Sequence, residues 1–454
     1  MSRILVPFRG EGAGIGEMTW AQLGIWKTMV ATGQSMNIGG TVPVAPGTTV
    51  EDMVKLLRVL VGRHQALRTR LRHRPDGPPQ LVVCDAGEVP LEIVDVTAHA
   101  EPDPETAAGA LRRRYETDPF DYETEWPVRL GLVRLDGILT HMVLIYCHVA
   151  VDGFGIDAVV RDLPNLDNPS APVSGLTPLE MTAKQHTPAG KRQGEKSLRY
   201  WEQHLRAIPA LRFGTSDDPR EPRYWELTRR SPAMHLAMQA IAHRTGAGVG
   251  YILLAAYAVG LARRTGINPS MAQLVVSNRF RPGCGDSVSQ LAQLSICVID
   301  VADTTFDEVV ARAWNAATNA YMHGYYDPLA LDDLLTRVRA ERGDFEISII
   351  VNDRRTQMGP PPLEAAPTPA DLESALPRAT TWWNRKVHVL DAALNISVDA
   401  APGAVDLTIC ADTHRLGPDA IEALSLEMER VLIDAAFDPA APTGVRGLPA
   451  ELHA

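Results

Sequence analysis

From Pro164 to Pro188 the chain is dense in Pro, Ser, Thr and Asn, residues that interrupt regular structure. This run constrains the fold most, because the residues on either side of it each carry their own alternation of strand-like and helix-like patterns. The pattern predicts two lobes, residues 1–175 and 176–454, each joining a sheet to flanking helices in an α/β (α+β sandwich) architecture. The 454 residues suffice for more than one core. In the first lobe, strands are expected at 4–8, 81–84 and 91–94, and helices at 50–60, 111–116 and 154–163. Val128–Leu135 and His141–Tyr146 are two apolar strands joined by Asp136-Gly137, a hairpin turn. In the second lobe, helices are expected at 191–207, 231–245, 249–265, 306–322 and 418–436, with strands at 272–277, 345–351, 387–398 and 404–410. A second Pro-rich stretch, Gln357 to Arg378, is long for a surface loop and is expected to bridge the lobes.

Composition removes several classes of function. With 44 Lys and Arg against 55 Asp and Glu the net charge is −11, and no basic run is long enough to track phosphates, so no nucleic acid is expected. The longest apolar stretch, Tyr251 to Ala262, is shorter than the roughly 20 residues that cross a bilayer and is closed by Arg263 and Arg264, so it is expected to be a buried helix. No membrane association is expected, and the N-terminus lacks a secretory apolar region, which points to a cytoplasmic protein. The five cysteines are scattered and never in C-x-x-C spacing, against both a disulfide framework and a zinc site. The glycines from Gly10 to Gly16 lack the spacing of a dinucleotide loop, and Thr19, the expected helix N-cap, follows them. Neither a metal nor a bound cofactor is expected.

The sharpest chemical feature is Tyr146-Cys147-His148-Val149-Ala150-Val151-Asp152-Gly153, where an apolar strand ends and a helix begins. A strand end projects a side chain into a crevice, and imidazole is the side chain that titrates near neutrality, so His148 suits a general base; a lone histidine beside a core strand has the same local signature. Asp152, followed by the turn-making Gly153, suits an ion pair that holds the loop.

The surrounding segments resemble the condensation domains of nonribosomal peptide synthetases, within the chloramphenicol-acetyltransferase-like superfamily. Cys147-His148-Val149-Ala150-Val151-Asp152-Gly153 is similar to the family's H-H-x-x-x-D-G, with Cys147 at the first histidine. Met18-Thr19-Trp20-Ala21-Gln22 with Trp26 resembles the opening L-T-x-x-Q-x-x-x-W, and Arg63 to Thr69 resembles R-H-E-x-L-R-T. Phe120-Asp121-Tyr122 with Pro127-Val128-Arg129, then Tyr200-Trp201, then Ser277-Asn278-Arg279-Phe280-Arg281-Pro282 follow in the family's order. The resemblance runs from Met18 to about Ala436.

It implies two chloramphenicol-acetyltransferase-like lobes in a V with a central channel, His148 as the catalytic residue, and Arg279 of the second lobe, with Arg281 as rival, paired to Asp152. Cys147 is then a packing residue, since no neighbour activates it as a nucleophile. Asn278 and Trp383 are candidates to line the substrate channel, although core packing is the commoner fate of the pair Trp382-Trp383. The arginines at 68, 70, 72, 74 and 112–114 suit either an acidic carrier protein or a solvated face. The implied protein is a free-standing, monomeric condensation enzyme. It joins an acyl or aminoacyl group, held as a thioester on the phosphopantetheine of an acyl or peptidyl carrier protein, to an amine or hydroxyl of a free or carrier-bound acceptor. A non-catalytic module recruiting a partner enzyme to a carrier-bound peptide, and an acyltransferase using coenzyme A thioesters, are the alternatives.

Overall fold

The computed structural model describes residues 1–98, 102–168, 171–211, 213–214, 218–355 and 365–447. The chain divides into two compact units: Met1–Gly194 with Ser277–Gln293, and Glu195–Val276 with Leu294–Ala454.

In the first unit the strands in chain order are β1 (Ser2–Arg9), β2 (Gly14–Glu17), β3 (Ile38–Pro43), β4 (Thr69–Arg72), β5 (Gln80–Val83), β6 (Ala86–Val96), β7 (Val128–Leu135) and β8 (Ile138–Tyr146). Five of them form a sheet in the order β1-β6-β7-β8-β3, and β2-β5-β4 form a small second sheet. The hairpin between β7 and β8 turns at Asp136 and Gly137, both with positive φ (48° and 87°), which is the conformation an Asp-Gly pair accepts at least cost. The helices are α1 (Trp20–Thr32), α2 (Val50–Arg63), α3 (Pro104–Thr117), α4 (Gly153–Asp162) and α5 (Pro178–Gln185), followed by α6 (Pro188–Ala207), within which the two units meet in sequence.

The central strands are apolar on both faces because both faces are covered. Leu57, Leu60 and Val61 of α2 and Ala158 and Val159 of α4 pack with Leu91, Leu130, Leu132 and Tyr146. Leu111 and Tyr115 of α3 pack on the opposite side with Val133, Val143 and Ile145. Thr19 is the N-cap of α1 in a reciprocal capping box with Gln22, as expected from the sequence.

The second unit holds a seven-stranded sheet built from β9 (Tyr224–Ser231), β10 (Ser270–Val276), β11 (Gln293–Ile299), β12 (Ile349–Asp353), β13 (Thr380–Val387), β14 (Leu394–Ala401) and β15 (Ala404–Asp412), in the order β11-β10-β12-β14-β15-β9-β13. Its core is covered by α7 (Pro232–Thr245), α8 (Val249–Thr265), α9 (Phe306–Met322) and α12 (Pro418–Ala435); α10 (Pro328–Arg342) and α11 (Pro369–Ala375) complete it. Every residue of α8 from Ile252 to Ala262 is buried, as expected for that apolar stretch. Among the described residues no single helix is long and apolar enough to cross a membrane.

Three sequence expectations change. The run from Pro164 to Pro188 is not all connection: Thr177 caps α5 in a capping box with Glu180, and Pro178 stands in the first turn, where its missing N–H costs nothing. Thr182 Oγ1 donates to Glu17 O at 3.0 Å and Gln185 Oε1 accepts from Trp20 N at 3.1 Å, so the first unit continues past residue 175. The strand expected at 387–398 is two strands, β13 and β14, broken over 388–393 because β13 pairs with β9 while β14 pairs with β12 and β15. Of the stretch expected to bridge the lobes, 357–364 lies outside the described residues; the remainder contains α11, whose Leu372 and Ala375 join the second unit's own core.

Candidate functional site

The chain leaves the first unit's sheet at Cys147. Its N–H donates to Pro127 O at 3.0 Å and its carbonyl accepts from Ala150 and Val151 at 2.9 and 3.3 Å, a tight turn that delivers Asp152 to the start of α4. There Asp152 is the N-cap, extended at φ −97° and ψ 176°, with Oδ1 accepting the Gly155 N–H at 2.7 Å.

The remaining capacity of that carboxylate is filled from the segment Ser277–Gln293. Oδ2 accepts the N–H groups of Leu291 and Ala292 at 2.8 and 2.9 Å and Arg279 Nη1 at 3.0 Å, while Arg279 Nη2 reaches Oδ1 at 2.8 Å. The side chains of Arg279 and Asp152 are only 9% and 3% exposed. Arg279 Nη2 also donates to the carbonyls of Ser287 and Ser289, at 3.2 and 3.1 Å. Asp152 therefore braces the turn. Arg281, the rival partner, gives its Nε to Asn278 Oδ1 at 3.1 Å. The expected origin of the arginine is corrected: Ser277–Gln293 groups with the first unit, so the ion pair is internal to it.

The glycine expected to matter was Gly153, but it opens α4 with no atom within 4 Å of where a Cβ would stand. The crowded position is Gly155, where a Cβ would sit 2.8 Å from Val151 Cγ1, 2.9 Å from Ser289 O and 3.2 Å from Arg279 Nη2. Two residues past the Asp152 cap, it lets the clasping segment approach α4.

His148 is half-buried. Its Nδ1 is buried without a hydrogen-bond partner. Burial holds the imidazole pKa below its ordinary value, and the Asp152 charge opposes that shift. The ring is thus held neutral near pH 7, the state a general base needs. Cys147 points the other way, into an apolar cluster with Met18, Leu23, Met29, Leu71, Leu81, Phe120 and Val149. Burial pushes its thiol up to about 12, which removes it as a nucleophile and fits packing. A small cavity lies beside it, lined by Gln22, Thr69, Leu71, Phe120, Tyr122 and Val149.

Two other candidates lie elsewhere. Asn278 is fully buried, in the left-handed region at φ 57°, and its Nδ2 donates to Leu291 O at 3.0 Å, which braces the loop. Trp383 lies on β13 of the second unit, 37% exposed and edge-on to Trp225 at 5.4 Å, so neither it nor its exposed neighbour Trp382 is core packing. In the basic cluster, Arg68 is buried and donates to the carbonyls of Cys84 and Glu11, and Arg112 and Arg114 pair with Glu116 and Glu92. The Arg63-His64 pair is structural as well: Arg63 is bidentate to Asp162 at 2.8 Å on both arms, and His64 Nε2 lies 3.0 Å from the same carboxylate. Sequence reasoning missed Gly155 and the N–H groups of Leu291 and Ala292; only for Gly155 did a local signal exist, its place two residues into the helix after the cap. Among the described residues no three His, Cys, Asp or Glu side chains gather as a metal-binding group.

The condensation-domain family model matches residues 14–451. Phosphinothricin tripeptide synthetase PhsC of Streptomyces viridochromogenes is 26% identical over 373 residues, 77% of this chain and 34% of that protein. Nonribosomal peptide synthetase kk1B of Curvularia clavata is 26% identical over 293 residues, 60% of this chain and 2% of that protein, so the chain spans a small part of such relatives. Among solved structures, the SgcC5 protein from Streptomyces globisporus superposes with a TM-score of 0.68 at 20% identity, over 94% of this chain and 100% of that one. At that identity the likeness shows the fold.

Proposed function

This chain belongs to the condensation-domain family, whose members serve nonribosomal peptide and related natural-product biosynthesis and generally form amide bonds, and from that membership we propose that it is a condensation enzyme with His148 as its general base. The donor is an acyl or aminoacyl thioester on the phosphopantetheine of a carrier protein, and the acceptor is an amine or a hydroxyl. His148 Nε2 takes the proton as the acceptor nitrogen or oxygen attacks the thioester carbonyl. Collapse of the tetrahedral intermediate breaks the C–S bond, and the sulfur leaves with the proton that His148 returns. Donor and acceptor arrive on carrier domains or as free molecules.

The observation that carries this reading is the asymmetry of the His148 ring. Its Nδ1 is buried, whereas Nε2 is not shut away from solvent and makes no hydrogen bond among the described residues. The turn that holds the ring is locked by Asp152 and Arg279. A second reading, a non-catalytic recruiting module, is favoured by Cys147 at the position of the family's first histidine. His148→Ala separates the two: as catalyst, His148 is expected to contribute about 10²–10⁴-fold in turnover, whereas Cys147→Ala keeps a substantial fraction. Undiminished turnover in His148→Ala refutes the catalytic reading. One acyl group offered on a carrier protein, on coenzyme A and on a short pantetheine thioester tests the donor, and equal efficiency for all three removes the carrier from the mechanism.

A further inference from the structure

At the C-terminal end of α3 the face of the five-stranded sheet that this helix covers opens into a cleft. Gly131 of β7 faces α3, since a Cβ there would meet Leu111 and Tyr115, and its neighbour across the parallel ladder is Glu92 of β6. Strand alternation puts Pro90 and Glu88 on that same face, and Arg129 with Gly131. Past the helix these residues line a cavity of about 330 Å³, within the size range of small-molecule sites. All of its lining belongs to the first unit, and His148 is not part of it.

The lining carries four arginines and four carboxylates. Two pairs cancel within the walls: Arg114 binds Glu92, and Arg129 donates from Nε and Nη2 to the two oxygens of Glu125 at 2.7 and 3.0 Å. The other four charges, Arg3, Arg70, Glu88 and Asp118, form no ion pair among the described residues. Arg3, Glu88 and Asp118 are exposed, but Arg70 is held. Its guanidinium lies 3.7 Å from the centroid of the Trp126 indole, and its Nε is buried without a hydrogen-bond partner. The indole is itself fixed, with its N–H donating to Glu88 O at 2.7 Å and Phe8 edge-on at 5.0 Å. Asp121 lies within electrostatic range of Arg70, yet its carboxylate already accepts the N–H groups of Glu123 and Thr124 and the Thr124 hydroxyl. A guanidinium laid flat on a fixed ring keeps its fork of donors in one orientation, the arrangement that receives a carboxylate on two N–H groups.

The signs of the unpaired groups select the ligand. A bare oxyanion such as phosphate meets two uncommitted carboxylates along with the two arginines, and a bare amine meets the reverse. A molecule with one carboxylate and one ammonium answers both signs, and Pro90, Tyr115 and Trp126 supply apolar surface for a side chain. We propose that this cleft binds a free α-amino acid, with its carboxylate on Arg70 and Arg3 and its ammonium toward Glu88 and Asp118. The site is separate from His148 and does not depend on the condensation reading. Trp126 adjoins Pro127, whose carbonyl accepts the Cys147 N–H, so an occupant rests beside the anchor of the turn that carries His148.

Isothermal titration of the full chain tests this without any reaction. The probes are L-leucine and L-phenylalanine, their N-acetyl forms, which lack the ammonium, their amides, which lack the carboxylate, and inorganic phosphate. At least one of the two amino acids is expected to bind saturably, one per chain. Both of its blocked forms are expected to bind at least about tenfold more weakly, and Arg70→Met, which keeps a side chain over the indole without the charge, is expected to weaken the free amino acid by a similar factor. The double variant Glu88→Gln with Asp118→Asn is expected to weaken the free amino acid and to leave the N-acetyl form as it was. No saturable binding of either amino acid up to about 10 mM overturns the proposal. So does phosphate or an N-acetyl form that binds as tightly as the free amino acid, and so does unchanged binding in Arg70→Met. If Arg70→Met does not fold, the blocked probes and the double variant at exposed positions still decide.

Discussion

Asp152→Asn preserves the shape of the central brace and alters its chemistry. The carboxylate accepts four hydrogen bonds, from Gly155 N–H at Oδ1 and from Leu291 N–H, Ala292 N–H and Arg279 Nη1 at Oδ2, and Arg279 Nη2 stands 2.8 Å from Oδ1 in the ion pair. An amide offers one oxygen and one NH₂. The less costly orientation puts NH₂ at the Oδ1 position, where it meets two donors, and in either orientation Arg279 loses its counter-charge. Which magnitude applies depends on burial. Exposed ion pairs are worth about 0–1 kcal/mol, whereas removing one partner of a buried pair costs about 3–5 kcal/mol, and the 9% and 3% exposures place this pair in the second class. Urea unfolding followed by tryptophan fluorescence is the assay. With a slope of about 1–3 kcal/mol per molar, the midpoint falls by at least about 1 M. Arg279→Met is expected to cost a similar amount by leaving Asp152 buried and charged. The double variant leaves neither charge behind, so it is expected to lose less than the sum of the two by about 0.5–3 kcal/mol. A midpoint for Asp152→Asn close to the parent's, or strict additivity in the double variant, would refute the argument.

The two glycines of α4 are expected to behave in opposite ways. Gly155→Ala forces a methyl against Val151 and the Ser289 carbonyl and costs about 1–3 kcal/mol, whereas Gly153→Ala, in open space in a helix, stabilises by about 0.5–1 kcal/mol; equal effects in thermal unfolding would contradict the packing described. Cys147, with its thiol pushed up to about 12 by burial, is expected to resist aromatic disulfide reagents at pH 8 until the protein unfolds, and rapid labelling of the native protein would show the thiol to be open. At Asp162 burial acts to raise the carboxyl pKa, but hydrogen bonds from His64, Arg63 and Asn165 outweigh it and hold the group below its ordinary 3.8. A carboxylate depressed in this way stabilises the fold above its unfolded pKa and loses that contribution as pH falls through the folded value. The stability deficit of Asp162→Asn should therefore be full at neutral pH and shrink below about pH 4; a deficit unchanged down to pH 2 would refute the assignment. Turnover that depends on His148 should stay level on its acid side to below the ordinary histidine value of 6.5, and a rate already halved at pH 7 would contradict the lowered pKa.

What the amino-acid sequence determined by itself lies where the signal is local. The β7–β8 hairpin follows from two apolar runs around Asp136-Gly137, the start of α4 from Asp152 ahead of an apolar helical pattern, and the start of α1 from Thr19 with Gln22 three residues on. The ordered series from Thr19 to Arg281 carried the family resemblance, and the pairing of Arg279 with Asp152 came from that resemblance. What the tertiary structure alone decided depends on residues far apart in the chain. Strands β3 and β13 carry little apolar periodicity and exist through their partners β8 and β9. Asp152 receives two of its N–H groups from residues 139 and 140 positions away, and Gln290 N–H donates to Ala150 O, closing the same segment onto the histidine's turn. Backbone N–H groups carry no mark in the sequence, so the clasp that braces the histidine's turn appears only once the chain has closed on itself.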